Sequence, residues 1–545
     1  MLRKILIVLG ALTFALFIFF NFILEGIVKN KLHSLLEDTF GSYYQISFDT
    51  NYTSLSLSGF SIGFDGVNLR TDTTNKFMMS KYAPVFFTAN RLEFSDISVS
   101  NLLFKSDIDV GAFELAEPNL LFLIGSKKTE KATSEDERSA NENPIKQVEI
   151  EAFKLSGGSA AFVFLKNKAD TLYAGKDLNV DFEKLDVKFD LDGISPENVT
   201  VSQVLINLDD VVYNRETSPY KYQMSNMQMN YQQGELTCLE VDLIPKHSLV
   251  EMTLGKAYQK TMFDIKIGQF SLNEIQFDSL KNQGVLRASN GVLKDAEFTL
   301  LRNANFPLDP SNKVLMHESL AKSTFPIDLD TLFIQNAKID YELIPKGKSE
   351  PGQVLLTEIN GHLAKLYSED RKKDTLHLEL SSKFMEHGAL SFAADFPLNG
   401  IPGHNYKGHI SHLPFTDLNS IVTPMVNVQL NEGIIDDIYF TGVCTDRLTT
   451  GEMIFDYDNL KLQFNNEKKG KRNWLISDVG NLIVRHKSKK DKDGRSRAVN
   501  YSYERPLYQG HIGFYLNGLL DGMMKNLLPT PVYKVAIKGM TPKTD

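Results

Sequence analysis

A charge-free apolar run, Ile5 to Leu24 (ILIVLGALTFALFIFFNFIL), opens a chain that otherwise switches, after Gly41, from helical to two-residue hydrophobic periodicity. At about 1.5 Å per residue the run reaches roughly 30 Å, the hydrocarbon thickness of a bilayer. It is longer than the apolar core of a cleaved signal peptide, and no small-x-small cleavage site follows it: Glu25, Gly26 and Ile27 continue the helical pattern. The expectation is an uncleaved transmembrane helix over residues 1–24. Arg3 and Lys4 predict a cytoplasmic N-terminus. The bulk of the chain is then expected across the membrane after a single pass, which is the periplasm beyond the inner membrane if the cell is Gram-negative.

Residues 25–41 predict an amphipathic helix. Leu24, Ile27, Val28, Leu32, Leu35, Leu36 and Phe40 recur at helical spacing, Lys29, Lys31, Glu37 and Asp38 take the other side, and Gly41 is a stop. Beyond it the pattern alternates. Examples are Val180 and Phe182, Val187 and Phe189, Leu376, Leu378 and Leu380, and Leu460, Leu462 and Phe464. Period two places the apolar side chains of a strand on one face. Clean alternation predicts antiparallel sheet with one apolar and one wet face. Asp65-Gly66, Ser156-Gly157-Gly158, Asp192-Gly193 and Asn399-Gly400 read as turns between strands.

Two segments share one plan, strand, turn, strand: Val148 to Phe164 and Ile327 to Leu343. Each precedes another alternating strand, which predicts a repeated structural unit. Lys127 to Lys146 is polar and mixed in charge, and reads as a flexible loop separating an N-terminal β region, 42–126, from an elongated β region, 147–510. Ile512 to Leu528 carries apolar residues at i, i+3, i+4 and i+7, with Asn517, Asp521 and Lys525 opposite and Pro529 as a stop. It predicts an amphipathic helix over 511–529, packed on the sheet or lying on a membrane, followed by a tail, 530–545. Gly518 and Gly522 form a G-x-x-x-G within it, a pattern that carries little outside a membrane span.

Chemistry-bearing motifs are few. The net charge of −9 argues against a nucleic-acid partner. Two cysteines far apart, Cys238 and Cys444, exclude a disulfide scaffold. Gly59-Phe60-Ser61-Ile62-Gly63 matches G-x-S-x-G, but its flanks alternate as strands and no helix follows, as a nucleophile elbow requires. His404, His409 and His412 lie close in sequence without cysteines or acid pairs in zinc-ligand spacing. Asp209 with Asp210, and Asp328 with Asp330, fit turns or wet strand faces better than acid–base work. No enzyme activity, metal or cofactor is expected.

A sheet with one apolar face must cover it, because burial is worth about 25 cal/mol per Å². A helical layer is missing, so a sandwich, a barrel or a curled sheet with an apolar groove remain. The fold expected is mainly β, a long curled antiparallel groove-like sheet. Roughly 25 strands at about 4.8 Å spacing extend on the order of 120 Å. Candidate groove-lining residues are Val180, Phe182, Val187, Phe189, Leu376, Leu378, Leu380, Leu460, Leu462 and Phe464. Each is equally readable as ordinary core. Lys487, Lys489, Lys490, Lys492, Arg495 and Arg497 are candidates to touch anionic lipid at a membrane surface, or simply a solvated hairpin tip.

The chain resembles the AsmA-like family of Gram-negative envelope proteins, in the form found in Bacteroidetes. The resemblance is carried by the N-terminal helix pair, by SLSLSGFSIGFDGVNL (Ser54 to Leu69) and by FKSDIDVGAFELAEPNLLFLIG (Phe104 to Gly125). It continues from Leu418 to Phe464, with Gly433, Gly451 and the Tyr457 to Leu462 strand, and in YSYERPLYQGHIGFYLNGLLDGMMKNL (Tyr501 to Leu527). These are loose patterns of Gly, Pro and apolar residues. The resemblance implies kinship with bridge-like lipid transfer proteins, and so a groove that binds or conducts phospholipid acyl chains in support of outer-membrane lipid homeostasis. Membrane lipids and envelope proteins are the partners it implies, although this chain is shorter than the larger members. The alternative expectation is a non-enzymatic scaffold for outer-membrane protein assembly.

Overall fold

The computed structural model describes residues 44–55, 60–71, 85–98, 107–124, 147–164, 167–188, 199–200, 203–321, 323, 325–368, 374–398, 403–464, 484–507 and 509–533. The expected anchor, the helix over 25–41, the charged tract, Asp192-Gly193, Asn399-Gly400 and Phe189 lie outside them. Among the described residues no helix is long and apolar enough to cross a membrane. The protein is mainly β. It divides into two compact units at Val241–Asp242, not at the charged tract.

The first unit holds β1 (Tyr44–Ser47), β2 (Thr50–Leu55), β3 (Phe60–Thr71), β4 (Val85–Ile97), β5 (Asp107–Ala116), β6 (Asn119–Ile124), β7 (Gln147–Phe164), β8 (Asn167–Lys188), β9 (Val199–Thr200), β10 (Gln203–Tyr213) and β11 (Tyr220–Asn230). β12 (Glu235–Pro245) contains the division. Consecutive strands pair antiparallel from β3 to β5, and again through β7, β8, β10 and β11. β5 and β6 instead run parallel to β7, in one uninterrupted offset from Asp107↔Gln147 to Ile124↔Phe164. A parallel joint needs a crossover connection rather than a tight turn, and the described strands on both sides of it, β1 to β6 and β7 to β11, belong to one unit.

Directly paired residues share a face, so the alternation sums into rows across the sheet. Ile62, Phe94, Phe113, Phe153, Phe182 and Val204 form one row, and Phe64, Leu92, Leu115, Leu155, Val180 and Ile206 the next. The rings of Phe94, Phe113, Phe153 and Phe182 follow one another at 4.8, 5.0 and 4.4 Å. Apart from Val204 and Ile206, which pack against the cluster, these residues are buried in one hydrophobic cluster. Each such side chain contributes about 1.5–3 kcal/mol.

The second unit holds helix α1 (Leu249–Thr253), β13 (Thr261–Asn273), α2 (Phe277–Gln283), β14 (Leu286–Asn303), α3 (Met316–Ala321), β15 (Ile327–Ile344), β16 (Gly352–Tyr367), β17 (Thr375–Phe384), β18 (Gly388–Pro397) and β19 (His404–Pro414). A 3-10 turn (Phe415–Leu418), α4 (Asn419–Val426), β20 (Val428–Cys444), β21 (Leu448–Phe464), β22 (Val499–Glu504) and α5 (His511–Leu527) complete it. Again one joint is parallel, β14 with β15 from Leu286↔Ile327 to Asn303↔Ile344. The pairings around it, β13–β14 and β15 through β22, are antiparallel. The expectation of a purely antiparallel sheet is therefore corrected to a mixed one. The two segments predicted to repeat are β7 and β15, each 18 residues long. Each pairs parallel with the strand before it and antiparallel with the strand after it, and each is one long strand where a strand, a turn and a second strand were expected.

Two of the expected turns lie inside strands rather than between them. Asp65-Gly66 lies within β3, and Ser156-Gly157-Gly158 within β7. Gly66, Gly157, Asp96, Asp210, Asp295, Asn336 and Glu358 all take positive φ inside or between paired segments. Such a residue slips the alternation by one and bends the strand without ending it. In β13 to β16 the slips line up. A Cβ on Gly268 would lie 3.0 Å from that of Asp295, Asn336 Nδ2 donates to Asp295 Oδ1 at 2.6 Å, and the Asn336 N–H donates to Asn360 Oδ1 at 3.0 Å.

The G-x-x-x-G of α5 matters for packing. Phe514, Gly518 and Gly522 face the sheet, and a Cβ on Gly518 would lie 2.8 Å from Thr449 Cγ2. The missing side chains let the helix sit directly on β21. Tyr406 and Tyr501 lie over Gly442 and Gly451 on the same face and share a hydrogen bond of 2.8 Å. Of the two placements expected for this helix, it takes the one against the sheet.

Asn336 (φ 53°) tests the bulge row. Asn336→Gly keeps the left-handed backbone accessible, whereas Asn336→Val opposes it and is expected to cost about 1–3 kcal/mol in chemical denaturation. Equal stability of the two variants would remove the bulge from the account.

Candidate functional site

The aligned slips keep one apolar face continuous across the second unit. On one side of the bulge row Phe270, Leu293 and Ile334 are mutual neighbours. On the other, Ile265, Phe298, Ile339 and Leu356 form a row, then Phe263, Leu300, Tyr341 and Val354. Odd positions of β14 before Asp295 and even ones after it therefore point the same way. The opposite face carries Lys266, Glu297 and Lys338 in one row, then Asp264, Thr299 and Asp340, to which Gln353 Nε2 donates diagonally at 2.8 Å.

Cover is uneven along the apolar face. Over β18 to β22 it is packed: α3 brings His317 against Phe396 and His404, α4 and the 3-10 turn lie against β16 and β20, and α5 against β21 and β22. There Ile435, Phe455 and Phe514 reach 0% exposure. α1 packs on β13 and β14 from the side of Met262 and Leu301, which is the other face. In the middle of β13 to β16, Phe263, Ile265, Phe298, Leu300, Ile339, Tyr341 and Leu356 are half-buried. These residues are the candidate site.

The sequence-based candidates distribute differently. Val180 and Phe182 are buried in the hydrophobic cluster of the first unit, and Leu376, Leu460 and Leu462 in that of the second. Leu378 and Leu380 remain half-buried on the apolar face. Val187 and Phe464 lie in strands β8 and β21. The half-buried rows were overlooked because their alternation reverses at each bulge; the paired slips around Gly268, Asp295 and Asn336 were the available signal.

Lys487 to Arg497 forms a tight turn beside β21. Lys490 and Ser496 bridge across it, and Asp491 Oδ1 accepts the N–H groups of Asp493 and Arg495 at 2.9 Å. Lys487 pairs with Asp458 at 3.1 Å and Lys490 with Asp456 at 2.7 Å. Lys489, Lys492, Arg495 and Arg497 are exposed.

Ser61, of the G-x-S-x-G match, lies within β3, where its hydroxyl accepts from the Asp96 N–H. His404, His409 and His412 do not converge. His404 is buried and bonds the Tyr515 hydroxyl at 2.7 Å; His409 pairs with Asp437 and stacks on Tyr439; His412 takes a left-handed backbone within β19. Asp328 pairs with Arg287, and Asp330 accepts from Tyr367. Burial pushes the Cys238 and Cys444 thiols up to about 11, which makes them poor nucleophiles. A furrow of about 550 Å³ crosses β17 to β21, lined largely by polar-face residues such as Ser391, Lys407, His409, Tyr439 and Glu452. Glu386, His387 and Asp417 offer three ligand atoms within 4.8 Å. There the Asp417 carboxylate accepts both the His387 N–H and its Nδ1, fastening the β17–β18 turn to the 3-10 turn.

No model of a known protein family matches the chain, and a comparison with curated proteins finds no match.

The hydrogen bond to Asp417 raises the pKa of His387. The pair thus contributes below the unfolded imidazole pKa, and its contribution is lost as pH rises through the folded value. In an NMR titration His387 is expected to hold its proton to higher pH than in Asp417→Asn. Superimposable curves would show that the pair does not form.

Proposed function

We propose that the protein shelters lipid acyl chains on the half-buried apolar face of β13 to β16, as an inner-membrane-anchored periplasmic component of outer-membrane lipid homeostasis. The observation that carries this reading is the contrast between two parts of one face. Where helices cover it, side chains are buried; in the middle, phenylalanine, isoleucine and leucine remain half-buried opposite a polar face. An uncovered apolar stretch of that kind is costly in water and is offset by contact with hydrocarbon. No covalent chemistry is needed: transfer is eased when apolar side chains replace water around a tail. The resemblance to AsmA-like proteins and the apolar run over residues 5–24 supply the membrane setting. The exposed cations Lys489, Lys492, Arg495 and Arg497 suit anionic headgroups at a bilayer surface.

The filled core of the first unit favours a second reading, a scaffold for envelope assembly with no lipid path. Lipid mass spectrometry on the intact, detergent-extracted chain separates the two. The first reading expects near-stoichiometric phospholipid, reduced severalfold by Phe298→Asp or Ile339→Asp but not by Thr299→Asp on the polar face. Wild-type protein free of lipid would leave the scaffold.

A further inference from the structure

The apolar rows end at a cation. Arg302 pairs with Thr261 on one side and Leu343 on the other, one alternation beyond Leu300 and therefore on the same face. Leu301 and Asn303, its neighbours, point the other way: Leu301 is buried beside Met262, and Asn303 donates to Thr253 of α1. Arg302 is half-buried. Among the described residues no carboxylate pairs with it: Asp264, Asp340 and Glu342 stand on the opposite face by register. A partly desolvated guanidinium without a counter-ion is an unusual choice for a strand in an apolar row.

Its orientation is set by one neighbour. Arg302 Nε donates to Gln259 Oε1 at 3.1 Å. The Gln259 amide cannot turn without loss, because its Nε2 donates to the carbonyls of Phe306 at 2.8 Å and Ala304 at 3.4 Å. Its own backbone N–H donates to the Pro307 carbonyl at 2.8 Å. The amide oxygen is therefore held toward Arg302, using one of five donors and leaving the planar edge formed by the two terminal nitrogens. That edge matches two oxygens of a phosphate, sulfate or carboxylate. Tyr341, in the adjacent row, has a phenol pushed up by burial and drawn partly back by the Arg302 charge.

We infer that Arg302 seats the anionic group of an amphiphile whose chain lies along the Phe263–Leu300–Tyr341 and Ile265–Phe298–Ile339 rows. The inference rests on the acyl-chain reading above and adds headgroup selectivity to it. Gln259 is a positioning residue, and the ligand class is a single- or double-chain lipid with an exposed phosphate or carboxylate.

Binding to the delipidated intact chain in amphipol tests it, with four probes: dodecyl phosphate, dodecyl maltoside, dodecyltrimethylammonium and inorganic phosphate. Dodecyl phosphate is expected to bind about tenfold or more tighter than the maltoside, with the cation weakest. In Arg302→Gln the ratio between phosphate and maltoside probes falls close to one. Arg302→Lys, which keeps the charge but not the fork, lies between. Equal affinities for the three amphiphiles on wild-type protein would overturn the inference while leaving the acyl-chain reading intact, and so would a preference that survives in Arg302→Gln. Inorganic phosphate binding as tightly as dodecyl phosphate would make this a free-anion site and overturn the headgroup assignment. Failure of every amphiphile to bind would remove the acyl-chain reading and the inference with it.

Discussion

The architecture of the second unit depends on keeping side-chain alternation in step across neighbouring strands. Strands of 18 residues such as β14 and β15 twist and bend too strongly to alternate without interruption. Each therefore carries one residue in the left-handed region, and that residue reverses which parity is apolar. A slip in one strand alone would send Phe298 or Ile339 into the polar face. Because Gly268, Asp295 and Asn336 slip at the same level, and are tied by the Asn336–Asp295 and Asn336–Asn360 hydrogen bonds, the apolar rows run unbroken from β13 to β16. Polar residues serve at these positions because Asn and Asp tolerate the left-handed conformation and bond the neighbouring backbone.

The same device explains what was readable in the sequence. Local alternation was visible, and so were the α5 helix and the kinship of Val148–Phe164 with Ile327–Leu343. The long strands were not, since Ser156-Gly157-Gly158 has the composition of a turn and only its pairing with neighbours marks it as a bulge. Parallel joints were equally hidden: nothing local in β15 reports whether its partner runs with it or against it. The G-x-x-x-G of α5 was visible as a pattern, but its meaning depends on Thr449 and Met453 of β21, a strand much earlier in the chain.

The candidate face was partly legible for a related reason. Alternating leucines such as Leu376 and Leu460 are the cleanest sequence signal, and that regularity belongs to strands roofed by helices, where they become core. The half-buried residues sit where alternation is broken, and Arg302 ends a row whose members come from strands far apart in sequence. A charged residue there costs free energy, which a bound anionic amphiphile would offset, so the least regular part of the apolar pattern carries the functional proposal.

Photocrosslinking in the native membrane tests the central claim most directly. A benzophenone amino acid replaces Phe298 on the apolar face or Thr299 on the polar one, and adducts are identified by mass spectrometry after irradiation of cells. Lipid adducts at position 298 and none at 299 are the result expected of an acyl-chain shelter. Protein adducts alone at 298, or equal lipid labelling at both positions, would contradict it.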